Sequence, residues 1–329
     1  MLERSFMIYV ILFAISFIFT YGIKNYAIKK SLLDIPNERS SHSVPIPHGG
    51  GIAIAVCWFF GLIYLFTCKD LDAPLFYALM AGIMLSLVSY IDDLYELSPK
   101  IRLLVQASVS AFGLFALGGL SKIDFGFFTI ENQIITNTLA FLGIIWCINL
   151  YNFLDGIDGY AGSEAVFLGS AGWLLFGGDY FLVLLVSVGG FLVWNWHRAK
   201  IFMGDVGSTL LGYTVAIFAI YHQNHGVSIF VWLILFGLFW FDATLTLYRR
   251  YKNGEKLSQA HRKHAYQRLT QSGWSHSKVV VASLLLNVIL AILGYIAFHF
   301  QALLFICFIL AIALLYGATK FVDNRKKFA

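Results

Sequence analysis

Apolar runs long enough to cross a lipid bilayer recur along almost the whole chain. Charged residues make up only 12% of the 329 residues and hydrophobic residues 59%, unlike the balance of a soluble protein. A membrane-spanning helix needs about 20 apolar residues. The sequence therefore predicts an all-α polytopic membrane protein of one domain (residues 1–329), with about eleven transmembrane helices, two of them short. The candidate spans are 5–23, 50–67, 74–91, 102–120, 135–153, 164–177, 180–196, 208–222, 227–247, 278–298 and 301–319.

The distribution of basic residues predicts the orientation of these spans. Of the 23 Lys and Arg residues, three fall on one side of the predicted membrane, which leaves 20 on the other. Because Lys and Arg accumulate on the cytoplasmic side, the N-terminus is predicted outside and the C-terminus inside. We expect no nucleic-acid partner, since few basic residues lie in one run. The segments expected to form a shared cytoplasmic active face are 24–49, 92–101, 154–163, 197–207 and 248–277.

Two adjacent carboxylates end the third predicted span. Asp92 and Asp93 have no basic residue near them before Lys100. Neighbouring carboxylates repel each other, a cost that is offset when the pair binds a cation or transfers a proton. Solvation of a helix end is the alternative interpretation, and it is weakened by the polar segments that follow other spans on the same predicted side.

Amides and carboxylates also follow each other along the end of the fifth span. Asn149, Asn152 and Asp155 are three residues apart, which places them near one face of a helix, and Asp158 follows. Placing such polar groups at the edge of a membrane costs free energy unless they bind a ligand or an ion. Packing between helices would explain the asparagines alone, but not Asp155 and Asp158.

A third polar segment precedes the eighth span. Asp205 lies between Gly204 and Gly207, so a carboxylate and exposed backbone N–H groups meet at a predicted helix N-terminus. A metal ion together with a phosphate fits such a position. The alternative is that Asp205 only caps a helix that begins near Ser208, which is a frequent use of Asp.

The last long loop combines histidines with basic side chains. His261 and His264 are three residues apart, and Arg262, Lys263 and Arg268 add donors suited to phosphate oxygens. A basic loop that attracts anionic lipid would explain the charge, but not the histidines.

Other polar residues received no catalytic interpretation. Asp242 lies inside the ninth span, seven residues before Arg249, and this spacing predicts a structural ion pair on one helix face. No partner is predicted for the remaining histidines that were considered, which are His197, His222, His225, His276 and His299.

Taken in order, these motifs resemble those of the polyprenyl-phosphate N-acetylhexosamine-1-phosphate transferases, the WecA/MraY superfamily of glycosyltransferase family 4. The resemblance covers nearly the whole chain. It rests on Asp92-Asp93, on Asn149-x-x-Asn152-x-x-Asp155-Gly156-x-Asp158-Gly159, on Phe202-Met203-Gly204-Asp205-x-Gly207-Ser208 and on the histidine loop. The segment from Asp34 to Pro47, which includes Asn37, Arg39, Ser40, Ser41 and His42, resembles the bacterial O-antigen and wall-polymer branch.

The resemblance implies a reaction. Undecaprenyl or another polyprenyl phosphate attacks the β-phosphorus of a UDP-N-acetylaminosugar and releases UMP, which initiates synthesis of O-antigen, lipopolysaccharide or another envelope polysaccharide. It further implies Mg²⁺ as cofactor, with Mn²⁺ as a substitute, and a multi-pass protein of the bacterial cytoplasmic (inner) membrane whose active site faces the cytoplasm. The sugar and the oligomeric state, a homodimer included, stay open.

The resemblance also implies roles for individual residues. Asp205 and Asp93 would bind the metal, and Asp92 or Asp93 would deprotonate the lipid phosphate, a covalent nucleophile being the less favoured route. Lys263 stands where the more usual His-x-His-His pattern has a histidine, which puts a direct catalytic role of that position in doubt. The other catalytic residues would be Asp158, His264 and Arg268, and the substrate-binding residues Asn149, Asn152, Asp155, Asn195, Phe202, His261 and Lys263.

Two other classes of membrane protein were weighed. An ion- or proton-coupled transporter also carries intramembrane acids, but near the bilayer midplane, whereas these acids follow spans that end on one side. A CDP-alcohol phosphotransferase also begins its signature with Asp-Gly, but an Ala-Arg pair should follow soon afterwards, and here Asp158-Gly159 follows Asp155-Gly156 instead.

Overall fold

The computed structural model describes residues 2–36, 44–257, 259 and 261–328, with side chains from residue 6 onward. The motif residues Asn37, Arg39, Ser40, Ser41 and His42 lie outside the described residues. The helices are α1 (Leu2–Lys29), α2 (Gly51–Thr67), α3 (Ala73–Met80), α4 (Gly82–Tyr95), α5 (Pro99–Ala116), α6 (Gln133–Phe153), α7 (Tyr160–Phe176), α8 (Asp179–Asn195), α9 (Asp205–Asn224), α10 (Ile229–Leu235), α11 (Gly237–Lys252), α12 (Ala265–Gln271), α13 (His276–His299) and α14 (Leu304–Arg325).

Short extended segments connect some of these helices. Strand β1 (Leu33–Asp34) pairs antiparallel with β2 (Ile46–Pro47), and β3 (Ile123–Asp124) pairs antiparallel with β4 (Thr129–Ile130). A single 3₁₀ turn (Gln301–Leu303) precedes α14. Each strand is only two residues long, so each pair joins two parts of one loop and does not form an extended sheet. The architecture of the described residues is a helical bundle.

Every predicted span is helical, in agreement with an all-α membrane protein. The third span is built from α3 and α4, and the ninth from α10 and α11, which bend by 82° at their junction. Among the described residues, five segments are long and apolar enough to cross a membrane, or six if the bent pair is one span. The count of eleven crossings therefore stays a prediction. The five are Phe6–Lys29, Ala73–Tyr95, Gln133–Phe153, His276–His299 and Gln301–Arg325.

Helix α9 lies at the centre of the bundle. It packs against α2, α4 and α6, and most of its residues are buried, Thr209 and Thr214 among them. A helix that faces other helices rather than lipid tolerates polar side chains that find partners there. At its N-terminus, α9 approaches α2 so closely that a Cβ on Gly51 would overlap the backbone of Gly207.

The loops separate into two groups at opposite ends of the bundle. At one end, the Phe202 backbone N–H donates to the Pro47 carbonyl (2.8 Å), which joins the segment after span one to the segment after span seven. At the other end, Ser228 Oγ donates to the Asp124 carbonyl (2.7 Å), which joins the segments after spans four and eight. These contacts agree with alternating crossings, while the number of crossings and their orientation in the membrane remain predictions.

Candidate active site

Four acidic residues predicted from separate motifs lie close together at one end of the bundle. Asp92 and Asp93 are in the last turn of α4 and point in directions about 100° apart. The negative charge of Asp205, the first residue of α9, acts on Asp93 and on Asp155, which lies in the loop after α6. Burial, followed by the charge of Asp205, raises the pKa of Asp155 well above its usual value. The structure thus builds one acidic cluster from the end of α4, the loop after α6 and the start of α9.

Asp92 has partners within its own part of the chain. Its Oδ1 accepts the backbone N–H of Leu97 (2.7 Å), and its Oδ2 accepts from Arg102 at the start of α5 (3.1 Å). The Arg102 side chain keeps 44% of its surface exposed, so its remaining donors face solvent. Asp92 is therefore held in place beside a cation that can also meet an incoming anion.

Asp205 is held from α6 and does not act as a helix cap. Its Oδ1 accepts from Asn152 Nδ2 (2.8 Å), which also donates to Ser208 Oγ (3.0 Å). Helix α9 begins at Asp205 itself, and the residue before it, Gly204, has a φ of 75° that favours glycine. The alternative in which Asp205 caps a helix starting near Ser208 is therefore wrong.

A cavity between α4, α5 and α6 opens beside this cluster. Asn149 lies in it, where its Nδ2 donates to Gln106 Oε1 (2.9 Å) on α5. The lining combines polar and apolar residues, so the cavity offers contacts both for a charged group and for a hydrocarbon chain. Its polar residues include Asp92, Arg102, Gln106, Asn149, Asn152 and Asp205, and its apolar residues include Leu85, Val88, Leu103 and Val105.

Asp158 lies apart from the acidic cluster in a group of its own. Its Oδ2 is 3.2 Å from Nδ1 of His197, 3.2 Å from Nδ1 of His276 and 3.2 Å from the backbone N–H of Ala199. Burial favours the neutral acid, but the contacts with His276, Ala199 and His197 outweigh it and lower the pKa of Asp158. No local sequence pattern links either histidine to Asp158, because both lie far from it along the chain.

Asn195 ends α8, and Phe202 lies in the loop that follows it and links the two groups. Asn195 is buried, accepts the backbone N–H of Gly159 (3.0 Å) and donates to the Ile201 carbonyl (2.9 Å). The backbone of Phe202 accepts the N–H of Gly50 (2.9 Å), and its ring is half-buried. Asn195 thus stabilises the loop through the backbone, and its predicted contact with substrate stays a prediction.

The predicted histidines meet in the last long loop. The rings of His261 and His264 lie 4.8 Å apart. Burial, together with the charges of His264 and Arg250, lowers the pKa of His261 to about 4. His261 is therefore a neutral N–H donor at pH 7 rather than a cation. This loop reaches the acidic cluster through Tyr266, whose hydroxyl donates to the Phe153 carbonyl (3.1 Å) next to Asp155.

The prediction of an ion pair between Asp242 and Arg249 is wrong. Asp242 accepts the backbone N–H of Ala265 (2.9 and 3.0 Å) and the Thr246 hydroxyl (3.1 Å), and it lies 3.7 Å from Nδ1 of buried His264. Arg249 instead makes two hydrogen bonds, of 2.9 and 3.0 Å, to both carboxylate oxygens of Asp323 on α14. Arg249 therefore pairs with Asp323 of another helix, which accepts two hydrogen bonds, rather than with Asp242 on the same face of its own helix.

Two basic residues that were predicted to bind phosphate, Lys263 and Arg268, also have internal partners. Lys263 Nζ lies 2.8 Å from Glu255 Oε1. Arg268 is buried, donates to Asp323 (2.6 Å) and to the Lys263 carbonyl (3.1 Å), and so ties the loop to α14. The internal contacts already use several donors of Lys263 and Arg268. The predicted contacts of these two residues with phosphate therefore remain predictions.

The acidic cluster fits a magnesium ion by the chemistry of its donors. Mg²⁺ prefers carboxylate, carbonyl and water oxygens, and Asp93 and Asp205 offer carboxylates whose mutual repulsion a cation would relieve. Among the described residues, the group Asp158, His197 and His276 could also hold a metal ion, but its two imidazole nitrogens suit softer cations. The donor set at Asp93 and Asp205 is the one that matches the implied cofactor.

Comparison with known proteins identifies the family. The model of glycosyl transferase family 4 matches residues 75–223. A probable undecaprenyl-phosphate N-acetylglucosaminyl 1-phosphate transferase of Bacillus subtilis (strain 168) is 30% identical over 292 residues, covering 84% of this chain and 80% of the relative. An undecaprenyl-phosphate alpha-N-acetylglucosaminyl 1-phosphate transferase of Yersinia pestis is 30% identical over 313 residues (88% and 83%). Its namesake in Escherichia coli (strain K12) is 29% identical over 333 residues (93% and 88%). The chain therefore belongs to the polyprenyl-phosphate N-acetylhexosamine-1-phosphate transferases, the WecA/MraY superfamily within glycosyl transferase family 4.

Proposed function

We propose that this protein transfers an N-acetylaminosugar 1-phosphate from a UDP-sugar to undecaprenyl phosphate and releases UMP. The observation that carries the proposal is the convergence of Asp92, Asp93, Asp155 and Asp205 beside a cavity whose lining combines polar and apolar residues. The names of the relatives make N-acetylglucosamine the first sugar to test. The reaction would initiate O-antigen or another envelope polysaccharide at the cytoplasmic face of the bacterial inner membrane.

The acceptor lipid fits the cavity between α4, α5 and α6. Its phosphate would lie near Arg102, and the start of its hydrocarbon chain would contact the apolar lining at Leu85, Val88 and Leu103. Arg102 is well suited to phosphate because its planar donors match the geometry of phosphate oxygens. Asp92, or its neighbour Asp93, would accept the proton of the lipid phosphate and so make its oxygen a better nucleophile.

The chemical step joins two polyanions, so charge neutralisation dominates it. An oxygen of the lipid phosphate forms a bond to the β-phosphorus of the UDP-sugar, the bond from that phosphorus to the bridging oxygen breaks, and UMP leaves with the bridging oxygen. Asp93 and Asp205 would hold Mg²⁺, which when bound offsets the charge of the diphosphate. Asn152 would keep Asp205 oriented through the hydrogen bond that it already makes. The donor would extend toward Asp155, Asp158 and the histidine loop.

The test is a transfer assay with purified protein. Undecaprenyl phosphate is combined with UDP-N-acetylglucosamine and other UDP-N-acetylaminosugars, and both UMP and the lipid-linked sugar are measured with and without a chelator. We expect UMP and lipid product in equal amounts with at least one donor, and none with the chelator. Asp93→Asn should be inactive, whereas Asp70→Asn, a matched change of an exposed residue at the other end of the bundle, should not. A folded protein that releases no UMP from any donor would exclude the proposal.

A further inference from the structure

The carboxylate of Asp158 is fixed by three segments that are distant in sequence. His197 and Ala199 belong to the loop after α8, and His276 is the first residue of α13. All three contacts, each 3.2 Å long, converge on Oδ2, and none of them is made to Oδ1. Rotation of the carboxylate would break all three contacts at once, so the group has one strongly favoured orientation.

We propose that His197 and His276 are positioning residues that hold Asp158 so that its Oδ1 accepts a hydrogen bond from a neutral N–H or O–H group of the nucleotide-sugar donor. The inference rests on the proposed function. It assigns a role to two histidines for which the sequence predicted no partner.

The chemistry of the Asp158 carboxylate indicates which part of the UDP-sugar it contacts. A carboxylate only accepts hydrogen bonds, and it repels the diphosphate. Asp158 therefore suits the nucleoside or the sugar, whose N–H and O–H groups are uncharged donors. The diphosphate is left to the acidic cluster and its cation.

The position of the histidines in the fold supports a role in donor binding. The loop that carries His197 and Ala199 continues through Phe202 to Asp205, so one connection spans from the Asp158 group to the acidic cluster. His276 starts a helix whose N-terminus is capped by Ser275, which accepts the Lys278 N–H (3.3 Å). Its Nδ1 also lies 3.3 Å from the backbone nitrogen of Asp158. One ring nitrogen cannot accept that N–H and donate to Oδ2 at the same time, so the contact with Oδ2 requires the proton of the ring to be on Nδ1.

The two histidines should not contribute equally. The His276 side chain is 14% exposed, whereas that of His197 is 32% exposed. A hydrogen bond that is better shielded from water contributes more, because water cannot replace the lost donor. His276 is therefore the stronger of the two supports.

The experiment measures steady-state kinetics for His276→Ala, His197→Ala and His276→Asn in the full-length protein. For His276→Ala, we expect KM for the UDP-sugar to rise roughly tenfold with kcat changed by less than about threefold, because the loss falls on donor binding. KM for undecaprenyl phosphate should not change, and His197→Ala should have a smaller effect. His276→Asn should recover most of the loss, since its Nδ2, bonded to Cγ, takes the place of the histidine Nδ1.

Two controls separate the positioning of Asp158 from other effects of the substitutions. His225→Ala removes an exposed histidine that contacts the Tyr221 carbonyl (2.7 Å) near the other end of the bundle, and it should leave all constants unchanged. Thermal stabilisation by the UDP-sugar, measured in parallel, reports donor binding without turnover. A parent protein that the donor stabilises but that releases no UMP would contradict the proposed function and not this inference.

Three results would overturn the inference. The first is His276→Ala with an unchanged donor KM and donor-induced stabilisation, which would leave the histidine a purely structural role. The second is His276→Asn as impaired as His276→Ala. The third is stoichiometric Zn²⁺ in the purified protein that is lost in His276→Asn, which would make the group a metal site.

Discussion

Replacing Asp205 by Asn tests the acidic cluster most directly. Asp92 is already engaged by Arg102 and the Leu97 N–H, so Asp93 and Asp205 are the carboxylates best placed to hold Mg²⁺. Loss of one of the two should cost about 4 kcal/mol of transition-state stabilisation, or roughly a thousandfold in turnover. Folding should survive, because the amide oxygen of Asn can still accept the hydrogen bond from Asn152.

A second measurement on the same variant does not depend on turnover. A ligand that binds only the folded protein stabilises it by about 2.7 kcal/mol at 100 times its dissociation constant. Mg²⁺ should therefore raise the unfolding temperature of the parent protein, and this increase should be lost in Asp205→Asn. Without Mg²⁺ the variant should be at least as stable as the parent, since one of several neighbouring negative charges is gone. Normal turnover, or an unchanged response to Mg²⁺, would refute the metal assignment.

Three further predictions concern the orientation and the histidine loop. In intact cells, an impermeant thiol reagent should label exposed Cys68 but not Gly254→Cys in a Cys68→Ala background, and the reverse result would contradict the predicted orientation. His264→Ala should lower kcat far more than Lys263→Ala, because His264 is buried beside the site whereas Lys263 pairs with a neighbouring carboxylate; equal losses would argue against this. Stability should fall as pH drops from about 6.5 to about 4, because the unfolded chain protonates His261 before the folded protein does. His261→Gln should reduce this slope of unfolding temperature against pH, and an unchanged slope would count against the buried neutral histidine.

Much of the architecture and part of the site follow from local patterns. Runs of apolar residues predict the helices because a lipid-facing segment must satisfy its backbone hydrogen bonds internally. The spacing of Asn149, Asn152 and Asp155 predicts a shared face, and the parity of the spans predicts that Asp92 and Asp205 lie at the same end of the bundle. The structure brings these residues together.

Partners between distant loops could not be predicted in this way. His197 and His276 carry no signal in their own neighbourhoods, yet both contact Asp158. Arg249 was expected to pair with a residue two turns away on its own helix, but Asp323 of another helix offers it two hydrogen bonds. Periodicity reports which residues share a face of one helix, and it does not report which helix lies opposite.

The sequence by itself thus determined the helices, the separation of the loops into two groups and the acidic residues of the candidate site, because each depends on hydropathy, charge or spacing along the chain. Only the tertiary structure decided which side chains hold these acids. It placed Asn152 on Asp205, Arg102 on Asp92 and two histidines on Asp158. The physical reason is that a hydrogen bond requires its two atoms to be about 3 Å apart, a condition that the packing of whole helices sets.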